Sequence, residues 1–113
     1  MRNVFIVRDF QGISVVLKFT TWENHILKRH PEMRGYLDAL KVILARPARA
    51  YRNTSYEHGL SLWRYGLGKG KRARQWIGMV VNYKENRLTR RRHGEVVTAY
   101  FTDTTPKGEE SVL

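Results

Sequence analysis

Thr20-Thr21-Trp22-Glu23-Asn24-His25-Ile26-Leu27-Lys28-Arg29-His30-Pro31-Glu32-Met33 is where the pattern of this chain changes. Before it, Ile13, Val15, Leu17 and Phe19 alternate with Ser14, Val16 and Lys18, the period of two of a half-buried strand. After it, Leu37, Leu40 and Leu44, with Tyr36 and Ile43 alongside, recur at helical spacing. The switch predicts an α+β fold. Within the stretch, Thr20 as N-cap would place Glu23 at N3 and complete a capping box, whereas Thr21 as N-cap would make Trp22 the first helical residue. Both starts are open. Trp22, Ile26 and Arg29 share one side, with Trp22 and Ile26 facing inward, and His25, Lys28 and Arg29 form a polar cluster beside it. Pro31 disfavours helical geometry at His30, so the first helix ends there, and the same proline suits the first position of a following helix.

Working outward, residues 4–8 read as a strand paired with 13–19 through the turn residues Asp9 to Gly12. A second helix covers 36–44 and stops before Pro47, and 49–53 form a short strand. In 60–65, Leu62 and Arg64 take one face while Ser61, Trp63 and Tyr65 take the other. Residues 75–83 and 95–102 are the long strands. In the last, Val97, Ala99 and Phe101 are expected to face the core, with Val96, Thr98, Tyr100 and Thr102 opposite. The whole reads as one domain over 1–113: an N-terminal β-hairpin and helices packed on one face of a mainly antiparallel sheet of about four strands. The tail after Asp103 is expected to be loose.

Charge is the loudest bulk feature. Lys and Arg number 21 against 10 Asp and Glu, a formal +11. Such an excess favours a polyanionic partner, most often nucleic acid. Two loops, 66–74 and 84–93, hold Lys69, Lys71, Arg72, Arg74, Lys84, Arg87, Arg90, Arg91 and Arg92, and a β-meander would gather them on one rim. The first is glycine-rich, but it lacks the spacing and the strand-to-helix context of a phosphate-binding P-loop. There is no cysteine, which excludes disulfides, thiolate catalysis and cysteine-ligated zinc. No apolar run approaches the ~18 residues of a membrane span, and the first residues do not read as a secretory signal. A cytoplasmic protein with no membrane partner is expected.

The four histidines are the natural proton-transfer groups. Imidazole ordinarily titrates near ~6.5. His25 sits on a regular helical turn beside Lys28 and Arg29 and is the first choice, although a surface histidine on a basic helix is the commoner role. His30 precedes proline and could instead brace the helix break. His58 and His93 fall in loops. His25 and His30 are poorly spaced to share a metal, and no HExxH motif or carboxylate cluster accompanies them, so no metal or other cofactor is expected. No nucleophile-elbow motif occurs. Metal-free RNA cleavage fits what is present: the substrate's 2′-hydroxyl is the nucleophile, and the protein supplies a base, an acid and cations around the phosphate. Tyr65, Trp76, Tyr83 and Tyr100 could stack on unpaired bases or simply pack.

The run Trp22-x-x-His25-Ile26-x-x-Arg29-His30-Pro31-Glu32, then a helix ending at Pro47, a hydrophobic strand, Val97-Thr98-Ala99-Tyr100 and Lys107-Gly108-Glu109, resembles the phage-type branch of the barnase–EndoU–colicin–RelE (BECR) nuclease superfamily. The resemblance implies a small α+β fold and metal-independent endoribonuclease activity, often as a toxin or effector in phage or plasmid conflict, and the same basic surface would suit an acidic antitoxin or immunity protein. It implies that His25, His30, Thr98 and Tyr100 are catalytic. Arg29 also matches the motif and could neutralise phosphate. Lys28, Arg64, Lys71, Arg72, Arg74, Arg90, Arg91 and Arg92 are placed as RNA-binding by charge alone. Similar chains often end with an aromatic residue after Lys-Gly-Glu, where this one runs Glu110-Ser111-Val112-Leu113. The alternative is a basic RNA- or DNA-binding module without catalysis.

Overall fold

The N-terminal hairpin is closed by a buried carboxylate. In the computed structural model, which describes residues 2–108 and 111–113, β1 (Asn3–Arg8) and β2 (Ser14–Lys18) pair antiparallel. Asp9 accepts the backbone N–H groups of Gln11 and Ile13 at 2.8 and 2.9 Å and the Tyr83 hydroxyl at 2.5 Å. Gly12 has φ +79°, the left-handed conformation that glycine adopts without a Cβ penalty.

From Lys18 the chain passes directly into a continuous helical run: α1 (Phe19–Thr21), a π-helical turn (Trp22–Ile26) and α2 (Leu27–Arg29). The start lies at Phe19, and neither threonine makes a side-chain cap bond, so the capping box does not form. The wide turn closes with Leu27 N–H on the Trp22 carbonyl. A regular helix would set Leu27 about 140° round from Trp22. The extra residue in the turn changes that phase, so Trp22, Ile26 and Leu27 are all buried while Arg29 is exposed rather than sharing their side. The helix ends before His30, and Pro31 opens a 3-10 turn (Pro31–Met33), as the proline predicts. After it, α3 (Leu37–Ala45) buries Leu40, Ile43 and Leu44.

Four strands follow: β3 (Arg49–Asn53), β4 (Gly59–Tyr65), β5 (Trp76–Glu85) and β6 (Arg92–Thr102). The sheet has six strands, not about four, in the order β1-β2-β6-β5-β4-β3. A hairpin alone would leave the backbone of β2 unpaired on one side. Here β2 pairs parallel with β6 through Ser14–His93, Val15–Gly94 and Val16–Glu95, and the hairpin becomes part of the sheet. The other pairings are antiparallel. Beyond that short parallel contact, the helical run and the 3-10 turn pack alongside β6.

Register assigns the faces. Leu62, Met79 and Ala99 lie in one row, and Ile77 pairs with Phe101; all five face the core with α3. Trp63, Gly78 and Tyr100 form a row on the opposite face. The regular alternation expected in β6 fails at Val97: Val80 pairs with Thr98 and Val81 with Val96, a bulge that leaves Val97 unpaired. Val96 therefore turns into the core, while Thr98, Tyr100 and Thr102 stay opposite.

The basic loops do not share a rim. Residues 66–75 join the Tyr65 and Trp76 end of the sheet, and residues 86–91 join the Glu85 and Arg92 end. Successive turns of an antiparallel meander alternate ends, and the ten residues of β5 separate these two by about 30 Å at ~3.3 Å per residue. The tail is also not loose: Pro106 is buried, Val112 donates its N–H to the Ala50 carbonyl at 3.0 Å, and Ser111 bridges to Tyr51. Glu109 of the sequence motif and the adjoining Glu110 lie outside the described residues, as does Met1. Among the described residues, no helix is long and apolar enough to cross a membrane.

Candidate functional site

The sheet face away from α3 is the place where expected site residues meet. Tyr100 and Thr98 project from it two residues apart on β6. The Tyr100 ring centre is 5.6 Å from that of His30, with the planes tilted by 37°. On its other side it meets Trp63 edge-on, at 5.8 Å and 85°. The Trp63 indole lies over Gly78, where an added Cβ would come within 2.3 Å of the indole ring; only glycine leaves the ring that space. The row His30–Tyr100–Trp63 thus spans from the helical run to β4.

His30 is fixed by its backbone. Its N–H bonds to the Ile26 carbonyl at 2.7 Å, and its carbonyl accepts the Met33 N–H at 3.0 Å. The Glu32 carboxylate stands 3.9 Å from Nδ1 of the imidazole, which remains partly exposed. Burial pushes the Tyr100 phenol above its ordinary value. His25 is half-buried in the π-helical turn, and its imidazole makes no ring contact, hydrogen bond or ion pair with another described residue. Lys28 and Arg29 are exposed at the end of the same helical run.

A cation shares the face that the sequence reading did not single out. Arg49 pairs in register with Trp63, and its guanidinium carbon is 5.1 Å from the Trp76 ring centre. Its Nη1 donates to the Pro106 carbonyl at 2.9 Å. The alternation of Arg49, Tyr51 and Asn53 along β3 was the signal available for it. Glu32 lies in the motif beside His30, and Trp63 in β4 beside Tyr100.

The remaining expected residues scatter. Arg64 is on the core face, where Nη1 donates to the Arg46 carbonyl at 2.8 Å and satisfies the end of α3. Arg72 packs over Phe101 at 5.2 Å and bonds Gln75, also away from the Tyr100 face. Lys71 and Arg74 are exposed in the same loop. Arg90, Arg91 and Arg92 stand at the far end, the last two lining a groove with Arg8 and Ser14. Tyr83 is a core residue bonded to Asp9, so it offers no stacking surface. His58 is exposed in a loop near Glu57, whereas His93 lies within β6, 3.9 Å from Glu95. Among the described residues, no three His, Asp or Glu side chains are grouped to hold a metal ion.

No family model, curated protein or solved structure matches this chain.

Proposed function

We propose that this protein is a metal-independent endoribonuclease of the BECR type, working from the sheet face of Tyr100. The single observation that carries the reading is the imidazole of His30 set against Tyr100, with Thr98 beside it on the same strand. His30, rather than His25, is then the proton-transfer residue. It accepts the proton of the substrate 2′-hydroxyl as that oxygen bonds to phosphorus. The P–O5′ bond breaks, and the 5′-oxygen takes the proton of the Tyr100 phenol. Thr98 donates a hydrogen bond to the phosphate, and Arg49 and Arg29 offset the charge that develops there. Glu32 stands beside the ring, its carboxylate 3.9 Å from Nδ1. The products are a 2′,3′-cyclic phosphate and a 5′-hydroxyl.

The net charge of +11 supports RNA as the partner and is compatible with neutralisation by an acidic antitoxin or immunity protein in the cytoplasm. Incubating the purified protein with tRNA and mRNA in EDTA tests the reading. Discrete fragments ending in cyclic phosphate are expected, and they should disappear with His30→Ala. Salt-sensitive binding without scission would instead make the chain a basic binding module.

A further inference from the structure

Tyr65 is a large aromatic side chain left 49% exposed on the same face as His30 and Tyr100. Its loop explains why it is uncovered. After Tyr65 the chain turns toward the core face, where Lys69 N–H bonds the Tyr36 hydroxyl at 3.1 Å and Arg72 lies over Phe101. Tyr65 packs edge-on against Trp76, at 5.4 Å and 61°, and Arg49 covers Trp76 in turn. The side chain is thus held at one side by Trp76 and open to solvent elsewhere.

Its position relative to Tyr100 follows from register. Tyr65 pairs with Trp76 and Trp76 with Thr102, one row along from Trp63, Gly78 and Tyr100. One row is about 7 Å and two strands about 10 Å, so Tyr65 stands about 12 Å from Tyr100. A short stretch of single strand spans that distance. A cation lies on the same face: Arg49, whose guanidinium covers Trp76. Asp103, the nearby acid, is engaged with Gln75 at 2.9 Å. An exposed aromatic side chain beside a cation fits an unpaired nucleobase with its phosphate. It does not fit a duplex, whose bases are already stacked on one another.

We propose that Tyr65, backed by Trp76, is a base-stacking subsite for an unpaired nucleotide near the scissile phosphate, so that the substrate is single-stranded RNA. This rests on the nuclease reading of the same face and names its substrate form. The test measures binding and cleavage separately. A fluorescent 2′-O-methyl oligonucleotide, which has no free 2′-hydroxyl and is not cut, is titrated with wild type, Tyr65→Ala and Tyr65→Phe, alone and annealed to its complement. Tyr65→Ala should weaken single-strand binding roughly five- to a hundredfold, the range seen when one stacking aromatic is removed. Tyr65→Phe should bind like wild type, and the duplex more weakly than the single strand. Wild-type affinity in Tyr65→Ala with an unchanged melting curve overturns the subsite, as does equal affinity for duplex and single strand. Cleavage of the unmodified strand in EDTA is read in parallel. If wild type binds as expected but cuts nothing, the nuclease reading fails and the subsite stands. If wild type cuts and Tyr65→Ala binds normally, only the subsite fails.

Discussion

The two faces of the central sheet are made by alternate residues of the same strands, yet they are built for different ends. On the α3 side, Leu62, Ile77, Met79, Val81 and Ala99 are completely buried. On the other, Trp63, Trp76 and Tyr100 are half-buried and Tyr65 is exposed, with Arg49 and His30 among them. The first face has the close packing that determines stability. The second holds aromatic and polar groups that make few demands on the core. Chemistry can therefore be altered on one face with little effect on the other. The bulge at Val97 sharpens the division, because it sends Val96 inward while keeping Thr98 and Tyr100 out.

The largest stability effect is expected at Met79. Truncating it to alanine should cost about 2–5 kcal/mol in a denaturant titration. Thr98→Ala, nearby on the other face, should change stability by less than about 0.5 kcal/mol while slowing RNA cleavage. Equal destabilisation by the two would erase the contrast. Next comes Tyr83→Phe, which removes a hydrogen bond to the buried Asp9 carboxylate and should cost about 1.5–3 kcal/mol near neutral pH. Burial and Asp9 both push the Tyr83 hydroxyl upward, and burial does the same to Tyr100. Above a pH of about 10, where an unfolded tyrosine loses its proton, the folded state still holds both. Stability present below that pH should fall as pH rises through the folded-state values. Tyr83→Phe should leave only the weaker part contributed by Tyr100, which separates the two faces in one alkaline unfolding series.

Gly78→Ala should cost about 1–3 kcal/mol by overpacking against the Trp63 indole. It should also reduce cleavage, since the indole backs Tyr100. Unchanged cleavage would show that the Trp63–Tyr100 contact does not position the phenol. The smallest effect belongs to Glu95. Burial acts to raise this carboxyl, but the hydrogen bond from Lys18 and the charges of Lys84 and Lys18 outweigh it and hold the group below its ordinary value. Its contribution is present above a pH of about 4.3 and is lost as pH falls further. Glu95→Gln should flatten that acid limb by no more than about 1 kcal/mol, read from urea midpoints.

Much of this arrangement was legible because it is local. Alternation marked the strands, helical spacing marked α3, and Pro31 marked the end of α2. What was hidden depends on distant partners. Nothing between residues 14 and 18 announces a parallel pairing with β6, because that edge is satisfied by a strand some 80 residues away. The π-helical turn buries Trp22, Ile26 and Leu27 together, which a regular 3.6-residue period does not anticipate. A regular helix favoured His25 beside Lys28 and Arg29, while the fold brings His30 to Tyr100. The bulge exchanged the facing of Val96 and left Val97 unpaired without any glycine or proline to signal it. Gly78 inside a strongly apolar strand was a readable sign of close approach, and Trp63 is the ring that approaches.

The most direct measurement is RNA cleavage in EDTA by wild type, His30→Ala and His25→Ala, each with its melting curve. Wild type should cut, His30→Ala should lose about a hundredfold or more of that rate with an unchanged melting temperature, and His25→Ala should keep most of it. Undiminished cleavage by His30→Ala, or intact RNA with the wild-type protein across tRNA and mRNA, would contradict the assignment of this face as a nuclease site.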